Sequence, residues 1–173
     1  MGDSISKQRE FRTKDFVVVT LHSEYIIMAE CWQFWLCDEN ADIESGDWTT
    51  EGGRDLLAVG QGSIFVGTID NSFVNVQVEV RDVEPVDDLE EWDHVTECSI
   101  EVRSGRLAIG GITDSLDRAA RINLNPGVYR TRIHYSGLEH DWTVPYVLER
   151  FRILLWRGQE IAPRVLKRWH RRS

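Results

Sequence analysis

The stretch 73–80, FVNVQVEV, places valine at every second position and a polar residue between each pair of valines. The same alternation recurs in VYRTRIHY at 128–135 and in RFRILLWR at 150–157. A period of two predicts strands with one dry and one wet side, which is typical of antiparallel sheets. We expect Arg130, Arg132 and His134 on the solvated side. The residues predicted to face inward are Val74, Val76, Val78, Tyr129, Ile133, Phe151 and Ile153.

Turn residues punctuate the chain between these strands. Asp70-Asn71 and Ser104-Gly105 are hairpin signals, and Asn125-Pro126-Gly127 precedes the strand at 128. Asn and Gly accept positive φ and Pro presets a turn, so each signal has a physical basis. Further strands are expected at 16–22 and 25–37, separated by His22-Ser23-Glu24, and at 62–69, 95–103 and 106–112. Eight or nine strands with few helices predict an all-β fold, an antiparallel β-sandwich of jelly-roll or Greek-key type.

Two segments break the alternation. The stretch 38–56 is rich in acidic residues and glycine and predicts a long loop, with a short helical turn after Trp48. The C-terminal stretch 161–173, IAPRVLKRWHRRS, has Pro163 followed by apolar residues at helical spacing, which predicts a short helix or a tail. We therefore expect a single domain at 1–160 and a basic tail at 161–173.

Composition restricts the class of protein. The chain has 173 residues, of which 42% are hydrophobic and 28% charged, as in globular proteins that dissolve in water. Its longest apolar stretch, 25–37, is too short to cross a bilayer, so no membrane association is expected. The three cysteines, Cys31, Cys37 and Cys98, contain no CxxC pair and predict reduced, buried thiols in the cytoplasm. A Cys31–Cys37 or Cys37–Cys98 disulfide is the alternative.

Charge is strongly segregated along the chain. Nine acidic residues and no Lys or Arg lie between Asp82 and Glu101, whereas residues 150–173 contain eight Lys or Arg and one Glu. The net charge of −9 therefore combines an acidic region with a basic end. Such segregation concerns partners and long-range steering rather than fold. The acidic balance disfavours general binding to DNA or to anionic membranes.

No catalytic, cofactor or metal motif is recognisable. The five histidines are scattered and contain no HxH pair of the kind that cupin metal sites use. A calcium-loop pattern begins at Asp38, Asn40 and Asp42, but Ile43 stands where the turn requires Gly. A weak calcium site and a pair of catalytic carboxylates are alternatives that spacing alone does not decide. We predict no cofactor and no catalytic residue, with an unrecognised enzyme as one alternative.

Trp92 stands among five carboxylates and is the strongest candidate for a binding residue. Tryptophan is a favoured interface anchor, and surrounding charge steers a partner of opposite sign. The alternative is that Leu89 and Trp92 hold a helical turn against the sandwich. The predicted partner-binding residues are Asp87, Asp88, Glu90, Glu91, Trp92 and Asp93.

The basic end of the chain has its own candidates. These residues either grip a phosphate backbone or return to the acidic region of their own domain or of a neighbouring copy. They are Arg164, Lys167, Arg168, Arg171 and Arg172. Nucleic acid is otherwise an unexpected partner for this chain.

Several short motifs occur within the region 47–156. They are Asp47-Trp48-Thr49, the strand after Gly62, the sequence 124–130 (LNPGVYR) and the final strand 151–156 (FRILLW). In these motifs the chain resembles the competence protein J family of small bacterial proteins. The resemblance covers roughly 47–156 and implies an all-β domain. Founding members of that family inhibit a competence-associated DNA-entry nuclease, and the resemblance transfers no catalytic residue.

Charge and resemblance together predict a non-enzymatic module, of inhibitor or immunity type. It would bind a basic protein, a nuclease or DNA-binding toxin, through its acidic face. The alternative is a small-ligand or carbohydrate-binding sandwich that uses an aromatic sheet face.

Overall fold

The computed structural model describes residues 19–43, 48–139 and 149–170. Within these ranges the chain forms eleven strands and one α-helix, α1 (Thr50–Asp55), so the all-β prediction is confirmed. In chain order the strands are β1 (Val19–Met28), β2 (Gln33–Asp38), β3 (Leu57–Gly60), β4 (Ser63–Gly67), β5 (Phe73–Arg81), β6 (His94–Val102), β7 (Arg106–Gly111), β8 (Ala120–Asn123), β9 (Gly127–Ser136), β10 (Arg150–Arg157) and β11 (Arg164–Lys167).

The strands form two sheets. One has six strands in the order β1-β5-β10-β9-β6-β11, and the other has five in the order β3-β4-β2-β7-β8. Every neighbouring pair is antiparallel except β5 and β10, which run parallel. The prediction of purely antiparallel sheets is therefore wrong at this one pair. The jelly-roll or Greek-key type stays a prediction.

One hydrophobic core contains residues of both sheets. Phe34 of β2 meets Phe151 of β10 edge to face, with ring centroids 5.0 Å apart. All seven residues predicted to face inward are buried, which confirms the alternation along β5, β9 and β10. Trp35, Cys37 and Phe65 face away from this core and are buried in a second, smaller cluster.

The acidic, glycine-rich loop contains the predicted helical turn. Helix α1 begins after Thr49, whose side chain accepts a hydrogen bond from the Gly52 backbone N–H, as a helix N-cap does. The predicted motif residue Asp47 lies outside the described residues. At the start of the calcium-loop pattern, Asp38 Oδ2 accepts hydrogen bonds from the backbone and the hydroxyl of Ser104.

The region 19–38 corrects three predictions. His22, Ser23 and Glu24 do not form a turn; they lie inside β1 and pair with β5. The predicted strand 25–37 is interrupted by a 3₁₀ turn, Glu30–Trp32, in which Cys31 and Trp32 both have φ of 55°. Cys31 is therefore exposed rather than buried, and the neighbouring Trp32 is 59% exposed. The prediction of burial holds for Cys37 and Cys98, and all three thiols are free.

The C-terminal residues form a strand where the sequence predicted a helix. Arg164–Lys167 is β11, which pairs antiparallel with β6 and forms an edge of the six-stranded sheet. A short isolated helix is marginal in water, whereas the open edge of β6 offers backbone partners along its length. Trp169 then packs against the main core.

Candidate functional site

The residues between β5 and β6, 82–93, are called the acidic segment here. The segment crosses the outer face of the six-stranded sheet, the face opposite the core, and includes a 3₁₀ turn, Leu89–Glu91. Pro85 is buried there, and its carbonyl accepts a hydrogen bond of 3.2 Å from Arg132 of β9. The acidic segment is thus attached to the sheet beneath it.

The sheet face below the acidic segment contains a buried cluster of charges. Glu97 of β6 is completely buried and accepts hydrogen bonds from Arg130, Arg132 and Arg164. Burial opposes ionisation of Glu97, but the three guanidinium groups outweigh it and hold its pKa below the usual range. The guanidinium groups of Arg130 and Arg132 also lie 5.5 and 5.2 Å from the ring of buried Trp156.

Two of the predicted binding residues are paired within the chain. Asp87 Oδ1 lies 2.8 Å from Arg132 Nη1, and the Asp88 carboxylate accepts a hydrogen bond from Arg152 of β10. Partial burial opposes ionisation of Asp88, yet Arg152 and His134 together lower its pKa. Arginines of the sheet therefore partly neutralise the charges of Asp87 and Asp88. Sequence spacing did not predict these ion pairs.

Trp92 and His134 lie together over Arg152. The Arg152 guanidinium is 4.7 Å from the Trp92 ring, and the Trp92 and His134 rings are 5.1 Å apart. His134 Nδ1 donates to the Arg152 carbonyl. The side chain of His134 is completely buried, so its prediction as a solvated residue is wrong. Trp92 is half-buried, in agreement with the alternative in which it holds the segment against the fold.

Burial lowers the pKa of His134 to about 4, and neighbouring Arg152 contributes in the same direction. The imidazole is therefore neutral at pH 7. Asp88 Oδ1 lies 3.2 Å from its Nε2, and this becomes an ion pair only if the ring gains a proton.

Asp93 has a local structural contact. Its Oδ2 accepts hydrogen bonds of 2.8 and 3.0 Å from the backbone N–H groups of Gly137 and Leu138, just after β9. The six predicted residues are therefore contiguous in space, but Asp87, Asp88 and Asp93 are in contact with their own fold.

The remaining carboxylates of the prediction point outward. Glu90 and Glu91 are exposed, and neither side chain forms an ion pair or hydrogen bond with a residue that the structure describes. Val83 and Val86, which sequence reasoning did not select, are 53% and 82% exposed on the same segment. The sequence signal that could have identified them is the presence of two valines among carboxylates within one loop. The outer surface of the segment thus combines free negative charge with exposed apolar groups.

The basic end of the chain returns to its own domain. Arg164 reaches Glu97, Arg168 Nη2 lies 2.7 Å from Asp55 Oδ1, and Lys167 Nζ donates to the Leu89 and Glu90 carbonyls. The last of these contacts holds the 3₁₀ turn of the acidic segment in place. Arg171 and Arg172 lie outside the described residues.

Residues 19–43, 48–139 and 149–170 contain no group of three or more His, Cys, Asp or Glu side chains arranged to hold a metal ion. Burial raises the pKa of the Cys37 thiol to about 12 and that of Cys98 further. Both thiols are therefore protonated at pH 7, in the form that is a poor nucleophile.

None of the helices among the described residues is long and apolar enough to span a membrane.

Comparison with solved structures identifies two similar folds. The first is ComJ from Bacillus subtilis, an inhibitor of the DNA-degrading activity of NucA; the TM-score is 0.63 and the identity 15%, over 82% of this chain and 98% of that one. The second is the product of crocagin biosynthetic gene J, with a TM-score of 0.59 and 18% identity, over 80% of this chain and 98% of that one. The chain is thus similar in fold to competence protein J. No protein-family model and no curated protein matches its sequence.

Proposed function

We propose that the protein is a non-catalytic binding module of inhibitor type, which docks on a basic protein through its acidic segment. The observation that carries the proposal is the similarity in fold to ComJ, an inhibitor of a DNA-degrading activity. A nuclease or DNA-binding toxin is the proposed class of partner, because a protein that binds DNA presents positive charge to it. A reducing compartment such as the cytoplasm suits three free thiols.

The outer surface of the acidic segment has the composition of an interface. Val83 and Val86 supply exposed apolar groups, and Glu90 and Glu91 supply free charge on the same segment. Interfaces commonly have an apolar centre and a polar rim, in which rim charges act mainly on the rate of association. We assign the steering of the partner to Glu90 and Glu91 and the dry contact to the valines.

The attachment of the segment to the sheet favours this function. Arg132, Arg152 and Lys167 fix its backbone and side chains from below. A loop that is already ordered loses less conformational entropy on binding than a free loop does. Asp87, Asp88 and Trp92 then hold the acidic segment against the sheet through Arg132 and Arg152. Their exposed parts also contribute to the rim of the docking surface.

The test is inhibition of a nuclease by the full chain. Proteins retained by the immobilised chain from lysate of its native organism at low salt are identified, and any nuclease among them is assayed for DNA cleavage with and without the chain. NucA is assayed in parallel. We expect inhibition, with an association rate that falls steeply with salt, because exposed charges are screened beyond ~8–10 Å near physiological ionic strength.

Two variants separate the contributions of charge and apolar contact. Glu90→Gln/Glu91→Gln should slow association, and Val86→Ser should speed dissociation, with Glu51→Gln on exposed α1 as the matched control. Retention and inhibition that do not change with salt or with these variants would contradict the proposal. The carbohydrate-binding alternative predicts binding that does not depend on salt and that is lost when the exposed Trp32 is replaced. Tight binding to DNA itself would place function at the basic end.

A further inference from the structure

A second surface feature lies between α1 and the C-terminal residues, and none of its lining residues belongs to the acidic segment. It is a cavity of about 430 Å³, open to solvent, in the size range of small-molecule sites. Apolar walls are provided by Leu56, Ile69 and Trp169. The charged or titratable side chains that line it are Arg54, Arg168 and His170.

The charge of this cavity is opposite to that of the protein. The chain has 29 acidic residues against 20 Lys and Arg, yet none of the described residues that line the cavity is acidic. Asp55, next to Arg54 in sequence, is occupied by Arg168 at 2.7 Å. The side chains of Arg54 and His170 form no hydrogen bond or ion pair with the residues that the structure describes. Arg54 therefore presents an uncompensated positive charge beside an apolar wall.

A second cavity of similar size shows why this arrangement is informative. That cavity, of about 470 Å³, is lined by Arg81 and Arg157 among other residues. Its cations are already used by the fold, because Arg81 pairs with Glu79 at 2.6 Å and Arg157 donates to the Pro126 carbonyl at 2.6 Å. Arg168 of the cavity at α1 likewise pairs with Asp55, but Arg54 has no partner among the described residues, and for that reason this cavity is the better ligand site.

We propose that the cavity lined by Arg54, Arg168 and Trp169 binds a small organic anion with an apolar body. The carboxylate or phosphate of the ligand pairs with Arg54 at the mouth, beside the Arg168 guanidinium that Asp55 already holds. Its apolar part lies against Leu56, Ile69 and the Trp169 ring. Guanidinium groups suit this role because they bind planar or tetrahedral oxyanions through charge-assisted hydrogen bonds. This site does not depend on the proposed partner of the acidic segment.

The test follows the indole N–H signal of Trp169 in two-dimensional NMR spectra of the isotope-labelled full chain. The signal is assigned by its absence in Trp169→Phe. Phenylacetate and phenyl phosphate are the anionic probes, and phenylacetamide is the neutral probe of matched shape. We expect saturable shifts with both anions and affinity about tenfold weaker for the amide, as for loss of one charge-assisted hydrogen bond.

Arg54→Gln should weaken anion binding by about tenfold on the same grounds. The melting temperature should stay unchanged, because Arg54 is exposed and has no partner among the described residues. Arg103→Gln, at an exposed turn elsewhere, is the matched control and should bind as the original chain does. Equal binding of the amide and the anions, unchanged affinity in Arg54→Gln, or no saturable shift with any probe would each overturn the proposal. Tighter binding of the anions than of the amide, together with weaker anion binding by Arg54→Gln, supports the proposal.

Discussion

The inner and outer faces of the six-stranded sheet are both buried along β6, β9 and β10, but by different means. The inner face buries apolar side chains against the second sheet, for example Ile133 and Phe151. The outer face buries Glu97, Arg132 and His134 beneath the acidic segment. Apolar groups need only shape and contact to be buried, whereas each charge needs a partner of opposite sign. A period of two therefore predicts the face on which a side chain lies, but not whether that face is wet.

The largest expected effect concerns the charge at the centre of the outer face. Glu97→Ala leaves Arg130, Arg132 and Arg164 around a buried site without their shared carboxylate. Removing one partner of a buried ionic group costs about 3–5 kcal/mol of folding free energy. Urea denaturation monitored by fluorescence measures the loss.

The matched control lies on the same strand and the same face. Glu101 of β6 is exposed and pairs with Arg103 at 2.8 Å, so Glu101→Ala should leave the free energy of unfolding unchanged within error. Equal losses in the two variants would mean that the outer face is not buried as described. The comparison between the two faces would then fail.

The next effect is a dependence of stability on pH. The pKa of His134 is about 4 in the folded chain, below its usual value near 6.5 in the unfolded chain. Between these values the unfolded chain binds more protons, so stability is complete above pH 6.5 and falls as the pH decreases towards 4. For this shift the linkage amounts to about 3 kcal/mol. Wild-type stability should therefore decrease relative to His134→Gln over that interval, measured by urea denaturation at each pH.

Glu149 supplies a control of opposite sign. Burial raises the pKa of its carboxyl to about 7, against hydrogen bonds from the Ile69 and Asp70 backbone N–H groups that lower it. Its contribution to stability is present at low pH and is lost as the pH rises towards 7. The wild type relative to Glu149→Gln should thus show the reverse slope. If His134→Gln and the wild type have parallel pH profiles, His134 is not buried in the neutral form.

The smallest effect separates the two halves of the acidic segment. Asp87 and Asp88 pair with Arg132 and Arg152, whereas Glu90 and Glu91 have no such partners among the described residues. Asp87→Asn/Asp88→Asn should cost about 0.5–1 kcal/mol per partly exposed carboxylate, a loss that salt reduces. Glu90→Gln/Glu91→Gln should leave the melting temperature unchanged. If the acidic segment were solvated throughout, all four replacements would be neutral, so scanning calorimetry of the two double variants decides between these interpretations.

The sequence alone determined three central strands, β5, β9 and β10, and their inward faces. Alternation along β5, β9 and β10 depends on local geometry, since successive side chains of an extended chain point to opposite sides. For the same reason all seven predicted core residues are buried. The turn signals at Asp70-Asn71 and Ser104-Gly105 are also local, and each lies between two consecutive strands. Their prediction as hairpins is wrong, because each connection joins a strand of one sheet to a strand of the other.

Tertiary structure decided which polar residues are free, and that information is not local. Asp88 and Arg152 are 64 positions apart in the chain, and Lys167 reaches the Leu89 carbonyl from 78 positions away. Residues 164–167 form a strand because the edge of β6 is open and offers them backbone partners. That edge is formed by distant residues, so the local sequence of 164–167 does not reveal it. Local pattern fixes side-chain direction, but the pairing of charges depends on which distant strands become neighbours. For this reason the sequence located the acidic segment, and only the fold distinguished its anchored carboxylates from those that face a partner.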